Sequence, residues 1–204
     1  MEKNRPQISN LGRFYLSQGI TKQHISTNDC GPTAVAMILN IIMSEQSGNR
    51  YKKVSKKEVI SAISTMGRLP NWIPKIGGAS APWGLVKAFN HLAHKNQIHW
   101  EARWVSHANP GLIAKSIKNV GYVSILRIWK NSGAHWANVI RFEQREGNIH
   151  LLDPNPFLAH LPDSKKIQIE EWRLVRQDWE RQPWWAKWLG IKKELIIYQR
   201  IENK

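Results

Sequence analysis

The chain of 204 residues contains a single cysteine, Cys30. One thiol cannot form an intramolecular disulfide, so a disulfide-stabilised fold is excluded and a reducing compartment is the simpler expectation. Long apolar runs are also missing, because the longest, from Ala34 to Met43, is interrupted by Asn40 and is too short to span a bilayer. The N-terminal residues lead into no such run, which argues against a signal peptide. We therefore expect a cytoplasmic protein.

Hydrophobic residues make up 42% of the sequence, which is enough for one globular domain with a sizeable core. We find no repeat, linker or low-complexity tract that would divide the chain. The sequence therefore predicts a single domain over residues 1–204, with its core at about 20–180 and a Trp-rich turn and final strand over 181–204.

Acidic residues are scarce, since 15 Asp and Glu face 30 Lys and Arg and leave a net charge of +15. Between residues 59 and 142 the only acidic side chain is Glu101. A basic protein of this kind attracts acidic partners, so an acidic peptide substrate fits the charge. No zinc-finger spacing, RNA-binding signature or glycine-rich phosphate loop accompanies it, and we expect no specific nucleic acid partner.

Two kinds of catalytic site have little support. No Gly-x-Ser-x-Gly element is present, which argues against a serine hydrolase. His91 and His94 stand three residues apart on a predicted helix, but no third metal ligand follows at a suitable spacing. We expect neither a metal nor another cofactor.

Hydrophobic periodicity divides the chain into a helical first half and a strand-rich second half. Short turns between consecutive strands predict an antiparallel meander, and the order of elements predicts an α+β domain in two layers. We predict helices over residues 31–43, 56–66, 81–94, 112–120 and 167–181, and strands over 98–105, 122–129, 134–142, 148–152 and 194–201.

Three separated residues form a candidate catalytic site. Cys30 begins the first predicted helix, where the positive end of the helix dipole favours thiolate over thiol. His135 opens a predicted strand, and Asp153 ends the next one. Alone, each has a structural explanation, as a packed thiol, a strand histidine or a turn residue. Together they supply a nucleophile, its base and the group that orients the base.

The segments around these residues resemble one known group of enzymes. The pattern Asp-Cys-Gly-Pro-Thr-Ala-x-Ala-Met-x-Leu over residues 29–39, followed by Ala-His-Trp and Leu-Asp-Pro, resembles the papain-like C39 (bacteriocin-processing) peptidases. The resemblance implies a papain-like (cysteine proteinase) fold in which an N-terminal nucleophile helix packs against a C-terminal antiparallel sheet. It also implies a thiol protease with Cys30 as nucleophile, His135 as base and Asp153 as orienting group.

The oxyanion position departs from the family's pattern. The family places a glutamine about six residues before the cysteine, where this chain has His24, while Gln23 stands one residue further upstream. We predict that Gln23 stabilises the oxyanion, with His24 as the alternative. Two other functions stay open: a degenerate peptide-binding module on the same fold, and an acyl-transferring, transglutaminase-like enzyme with the same triad.

Tryptophan is abundant, with eleven in the chain and five between Trp172 and Trp188. We call residues 172–188 the Trp-rich segment. Its rings either fill the core or form a surface for a peripheral membrane or transporter partner. The resemblance adds a leader-type peptide as a substrate class.

Overall fold

The computed structural model describes residues 8–18, 28–47, 50–71, 77–119, 121–130 and 133–201. The helices in these ranges are α1 (Ile8–Leu11), α2 (Cys30–Ser47), α3 (Lys56–Ala62), α4 (Pro82–Lys95), α5 (Pro110–Lys118), α6 (Trp172–Glu180) and α7 (Trp184–Trp188). Short 3-10 turns cover Gly12–Phe14, Thr65–Gly67, Pro156–Leu158 and Asp163–Lys165. None of the helices in the described ranges has the length and apolar character needed to cross a bilayer.

Six strands within the same ranges form one sheet in the order β1-β6-β2-β3-β4-β5, and all neighbours are antiparallel. The predicted meander is confirmed for β2, β3 and β4. The last strand lies between β1 and β2, so residues near the end of the chain contribute to the middle of the sheet. The strands are β1 (Trp100–Val105), β2 (Tyr122–Trp129), β3 (Gly133–Glu143), β4 (Asn148–Leu152), β5 (Ile167–Glu171) and β6 (Leu195–Arg200).

Helix α2 is the central helix of the first half. It is buried continuously from Cys30 to Ser44, as expected of a helix that is apolar on every side. Its one interior amide, Asn40, clamps the backbone of Val54 by accepting from the N–H at 2.8 Å and donating to the carbonyl at 2.9 Å. The polar residue that interrupts the apolar run therefore ties the loop before α3 to the core.

The sheet is covered on both faces, which corrects the two-layer prediction. Helices α2 and α4 pack on one face, while α5 and α6 pack on the other. Side chains alternate between two hydrophobic clusters along β2, where Val123 and Ile125 face one cluster and Leu126 and Ile128 the other. Strands that are buried on both faces read as continuous apolar runs, so the sequence did not reveal the third layer.

The helix predicted over Ile167–Arg181 is wrong in its first part. Residues Ile167–Glu171 form strand β5, which pairs with β4, and helix α6 begins only at Trp172. Ile167 and Ile169 have the two-residue spacing of a strand, but two apolar residues in a polar stretch are a weak signal. The segment is extended rather than helical because its backbone pairs with the edge of strand β4.

The N-terminal segment braces the loop that follows β4. The Gln18 N–H donates to the carbonyl of Pro154 at 3.0 Å, and the Tyr15 hydroxyl donates to the carbonyl of Asn155 at 2.6 Å. Gly12 lies so close to the carbonyl of Asp163 that a Cβ atom there would overlap it. The segment therefore fixes the backbone next to Asp153.

The Trp-rich segment contributes to both core and surface. Trp179 and Trp185 are buried, whereas Trp184 and Trp188 are 62% and 64% exposed. The segment ends in the short helix α7 where a turn was predicted. Core packing is therefore confirmed for Trp179 and Trp185, and a partner surface at the two exposed tryptophans stays a prediction.

Candidate active site

Cys30 is the first residue of α2 and is only 7% exposed. The helix start is fixed by Thr33, whose N–H and hydroxyl both donate to the carbonyl of Asp29, at 2.9 and 2.7 Å. The carboxylate of Asp29 pairs with Lys56 of α3 at 3.0 Å. The backbone around the thiol is therefore held by local turn chemistry and by a neighbouring helix.

His135 and Asp153 lie side by side under the surface. The Nε2 atom of His135 is 2.6 Å from Oδ1 of Asp153, and the N–H of Asn155 donates to the same carboxylate oxygen at 2.8 Å. Because a carboxylate only accepts, Nε2 carries the proton in this pair. Cys30 lies near the same ring, because its charge and a side-chain hydrogen bond are among the causes that raise the pKa of His135. The other ring nitrogen, Nδ1, is therefore the one left for the thiol.

Electrostatics favour a charged imidazole in this pair. Burial lowers the pKa of His135, but the charge and hydrogen bond of Asp153, together with Cys30, outweigh it and raise the pKa to about 10. Burial raises the pKa of Asp153, whereas His135, the Asn155 N–H and the charge of Arg127 lower it, and the net shift is downward. A positive imidazolium and a carboxylate thus stabilise one another.

A stack of side chains that the sequence did not reveal lies behind His135. The ring of Trp129 stacks on the imidazole with centroids 4.8 Å apart and planes 18° from parallel. The guanidinium of Arg127, which faces His135 across the β2–β3 ladder, lies 5.9 Å from the Trp129 ring. Arg127 is held by both oxygens of Glu170, at 2.8 and 2.9 Å, and by Asp178 at 3.2 Å. Only the register of two adjacent strands could have predicted these contacts.

An apolar pocket opens on another side of Cys30, and we call it the Cys30 pocket. It is formed by the start of α2, by Leu69, by the residues from Ala79 to Pro82, by strands β2 and β3, and by the chain around α7. Trp136, the residue after His135, is one of the side chains that line it. The described lining residues are Asn28, Cys30, Gly31, Leu69, Ala79, Ser80, Pro82, Leu126, Ala134, Trp136, Trp185 and Ile191.

The two predicted oxyanion residues, Gln23 and His24, lie outside the described residues. Among the residues that the structure does describe, no group of three His, Cys, Asp or Glu side chains could hold a metal ion. His91 and His94 remain a pair on α4. The structure thus brings together Cys30, His135 and Asp153, and their catalytic roles stay predictions.

Comparisons of sequence found no matching family model and no matching curated protein. Comparison of structures found the peptidase domain of Streptococcus ComA, a bifunctional ABC transporter involved in a quorum sensing pathway. Its TM-score is 0.54 at 16% identity, over 92% of this chain and 98% of that one. A Bacillus anthracis protein described as a C39-like peptidase has a TM-score of 0.53 at 17% identity, over 97% and 98%.

These likenesses establish the fold. The chain has the papain-like architecture of C39 peptidase domains, with helix α2 packed against an antiparallel sheet, as the resemblance implied. Low identity limits the comparison to the fold, so activity has to be argued from the site.

Proposed function

We propose that this protein is a C39-like cysteine peptidase that cleaves peptide bonds through a thioester acyl-enzyme. The observation that carries the proposal is the buried His135–Asp153 pair, joined through Nε2 at 2.6 Å, beside Cys30, whose charge and hydrogen bond help to raise the pKa of the imidazole. A buried imidazole held between a thiol and a carboxylate has the arrangement of a nucleophile, its base and an orienting group.

In the proposed reaction, the proton of the Cys30 thiol moves to Nδ1 of His135, and Asp153 stabilises the resulting imidazolium. The sulfur attacks the scissile carbonyl carbon, and His135 gives the proton to the leaving amine. Water then attacks the thioester while His135 accepts its proton. The acid product leaves, and the thiol is restored.

The oxyanion of each tetrahedral intermediate needs fixed hydrogen-bond donors. We assign the backbone N–H of Cys30, at the start of α2, and the side chain of Gln23, with His24 as the alternative. An acidic or leader-type peptide suits the basic chain as substrate. A membrane or transporter partner at the exposed Trp184 and Trp188 stays a prediction.

Alkylation of the thiol tests the site without a known substrate. Iodoacetamide reacts with thiolate, so labelling of Cys30 should stay fast down to about pH 6 if His135 holds the proton. His135→Ala should slow labelling at this pH at least about tenfold, while His91→Ala, an exposed histidine on α4, should not. Intact-protein mass spectrometry gives the rates. Labelling that is slow and indifferent to His135→Ala would overturn the assembled pair.

Cleavage itself is tested with a diverse peptide library read by mass spectrometry. Cys30→Ala removes the nucleophile with little change in volume, and it should abolish every product that the unchanged protein forms. Products that persist in Cys30→Ala at the same rate would rule out the proposed mechanism.

A further inference from the structure

Helix α7 presents two indoles and a lysine to solvent. Trp184 and Trp188 are 62% and 64% exposed, and Lys187 is exposed as well. Residues three and four positions apart lie on one face of a helix, so these three side chains form a single surface, which we call the Trp184 face. Trp185 and Ala186 are buried on the other side of the helix. Single exposed apolar residues need no explanation, but an exposed apolar cluster marks an interaction site.

The Trp184 face is carried on a fixed backbone, because α7 ends in a well-formed glycine turn. Gly190 has a φ of 67°, and its N–H donates to the carbonyl of Lys187 at 3.2 Å. The N–H of Ile191 donates to the carbonyl of Ala186 at 2.8 Å, which completes a Schellman motif. The side chain of Gln182 donates to the carbonyl of Ile191 at 3.1 Å and joins the two ends of the helix. A partner that binds this face therefore has little backbone to order.

The chain around α7 is basic throughout. Residues 181–193 contain four Lys or Arg side chains and no Asp or Glu. Two of the four pair with acidic residues of α6. The other two, Lys187 and Lys192, form no ion pair with any acidic side chain in the part of the chain that the structure describes. Two positive charges beside two exposed indoles therefore suit a partner that is both apolar and anionic.

This combination favours a lipid surface over a protein partner. Indole rings are enriched at the headgroup level of a bilayer, where the ring meets apolar surroundings and the N–H stays wet. Lysines beside them are attracted by anionic headgroups. The core of a protein interface is depleted in lysine, so Lys187 between two tryptophans does not fit that kind of partner.

We propose that the Trp184 face docks on an anionic membrane, with both indoles at the boundary between headgroups and acyl chains and with Lys187 and Lys192 against the headgroups. This inference goes beyond the proposed peptidase and does not depend on the chemistry of Cys30. Because Trp185, on the buried side of α7, lines the Cys30 pocket, docking brings the candidate active site close to the membrane surface.

Sedimentation with lipid vesicles tests the proposal. The unchanged protein should bind vesicles of phosphatidylcholine mixed with phosphatidylglycerol. Trp184→Ser and Trp188→Ser should each lower the partition coefficient about tenfold, because each variant withdraws a large apolar side chain from the lipid. Lys187→Gln should lower it about fivefold, the gain expected for one lysine near an anionic surface. On phosphatidylcholine alone, Lys187→Gln should have no effect.

Two matched controls lie away from α7. Ile169→Ser removes an apolar side chain that is 63% exposed on the edge strand β5. Lys118→Gln removes an exposed charge from α5, which packs on the opposite face of the sheet from Trp185. Both variants should keep the partition coefficient of the unchanged protein. Absence of vesicle binding would overturn the proposal, and so would binding that neither tryptophan substitution weakens, because the overall charge then explains it.

Fluorescence quenching shows whether the indoles reach the acyl chains. Bromine atoms on the chains quench nearby tryptophans, so brominated vesicles should quench the bound unchanged protein more strongly than bound Trp184→Phe/Trp188→Phe. Equal quenching would place both indoles outside the lipid and contradict the proposal.

Vesicle binding and thiol reactivity separate this inference from the proposed function. Cys30→Ser should bind vesicles as the unchanged protein does. An inert thiol in a protein that binds vesicles through the Trp184 face would reject the peptidase and keep the docking surface. A reactive thiol in a protein that does not bind them would reject the docking surface and keep the peptidase.

Discussion

The two sides of the Cys30 thiol differ in how their polar groups are bonded. On the side of His135, charged groups pair with one another: His135 bonds Asp153, and Arg127 bonds Glu170 through its two terminal nitrogens, while its buried Nε has no partner among the described residues. On the side of the Cys30 pocket, indole and aliphatic walls surround a hydroxyl, that of Ser80, which has no partner among the described residues.

The difference indicates that the polar groups on the two sides have different tasks. Groups that move protons have to keep one geometry, so the protein supplies their partners itself. The buried hydroxyl of Ser80, in contrast, makes no hydrogen bond with the described residues that its removal could break. Removing a polar group should therefore destabilise the first side and leave the second side unchanged or more stable.

Loss of the Arg127 guanidinium should have the largest effect. In Arg127→Met, the carboxylates of Glu170 and Asp178 lose their shared partner, and the buried Asp153 loses a nearby positive charge. The two carboxylates are partly exposed, so the loss is closer to that of a hydrogen bond to a charged group, and we expect a fall of about 1.5–3 kcal/mol in the free energy of unfolding, measured by urea denaturation.

The matched control is Arg176→Met on the outer surface of α6. Arg176 pairs with Glu180 one helical turn away, and both side chains are substantially exposed. Exposed pairs of this type contribute about 0.5 kcal/mol or less. If the two variants lose equal stability, the cluster around Arg127 does not support the site in the way described.

The charge of the His135–Asp153 pair should appear in the pH dependence of stability. The pKa of His135 is about 10 in the folded protein, against about 6.5 in unfolded chains, so the folded state keeps a proton that the unfolded state releases. The contribution of His135 to the free energy of unfolding is full below about pH 6.5 and is lost as the pH rises towards about 10. Asp153, whose pKa is lowered in the folded protein, also contributes stability, and this contribution is lost as the pH falls through the folded-state pKa of Asp153.

This slope is best measured in Cys30→Ser, which removes the titration of the thiol. Because Cys30 is one of the causes that raise the pKa of His135, this pKa is lower in the variant than in the unchanged protein. Just above about pH 7, its free energy of unfolding should fall by about 1 kcal/mol per pH unit more steeply than that of the double variant Cys30→Ser/Asp153→Asn. Asp163→Asn, at an exposed aspartate in the same loop region, serves as control. A slope that Asp153→Asn does not change would show that the imidazole is neutral in the folded protein.

Much of the fold could be predicted from local signals. The apolar spacing and Pro32 indicate helix α2, and turn residues separate the apolar runs of β2, β3 and β4. Each of these elements can therefore be recognised from its own stretch of sequence. Strand β5 does not, because only pairing with β4 makes Ile167–Glu171 extended. Likewise the third layer depends on helices that cover a sheet face far away in sequence.

The site divides in the same way. Cys30, His135 and Asp153 stand in short motifs that carry their chemistry, so they could be proposed from sequence. Trp129 reaches His135 only through strand register, and the pocket around Ser80 is assembled from four separate stretches of chain. Short motifs therefore identify the candidate catalytic residues, whereas the residues that support them and the Cys30 pocket depend on tertiary structure.

Substitution of Trp129 tests how firmly the imidazole of His135 is positioned beside the Cys30 thiol. Its ring stacks on the imidazole of His135, and such aromatic contacts are worth about 0.5–1.5 kcal/mol. Trp129→Leu should therefore slow iodoacetamide labelling of Cys30 at about pH 6 by roughly 3- to 10-fold, since a freer imidazole holds the proton less well. Trp129→Phe should restore most of the rate. If leucine and phenylalanine behave alike, stacking does not position the imidazole.

The smallest expected change lies on the pocket side and has the opposite sign. Ser80→Ala removes a buried hydroxyl that has no partner among the described residues, so the free energy of unfolding should stay the same or rise by up to about 1 kcal/mol. Ser124→Ala is the matched control, since its hydroxyl donates to Asn138 at 2.6 Å and its loss should destabilise the protein. A clear loss of stability in Ser80→Ala would mean that this hydroxyl already has a partner, and the contrast between the two sides of Cys30 would disappear.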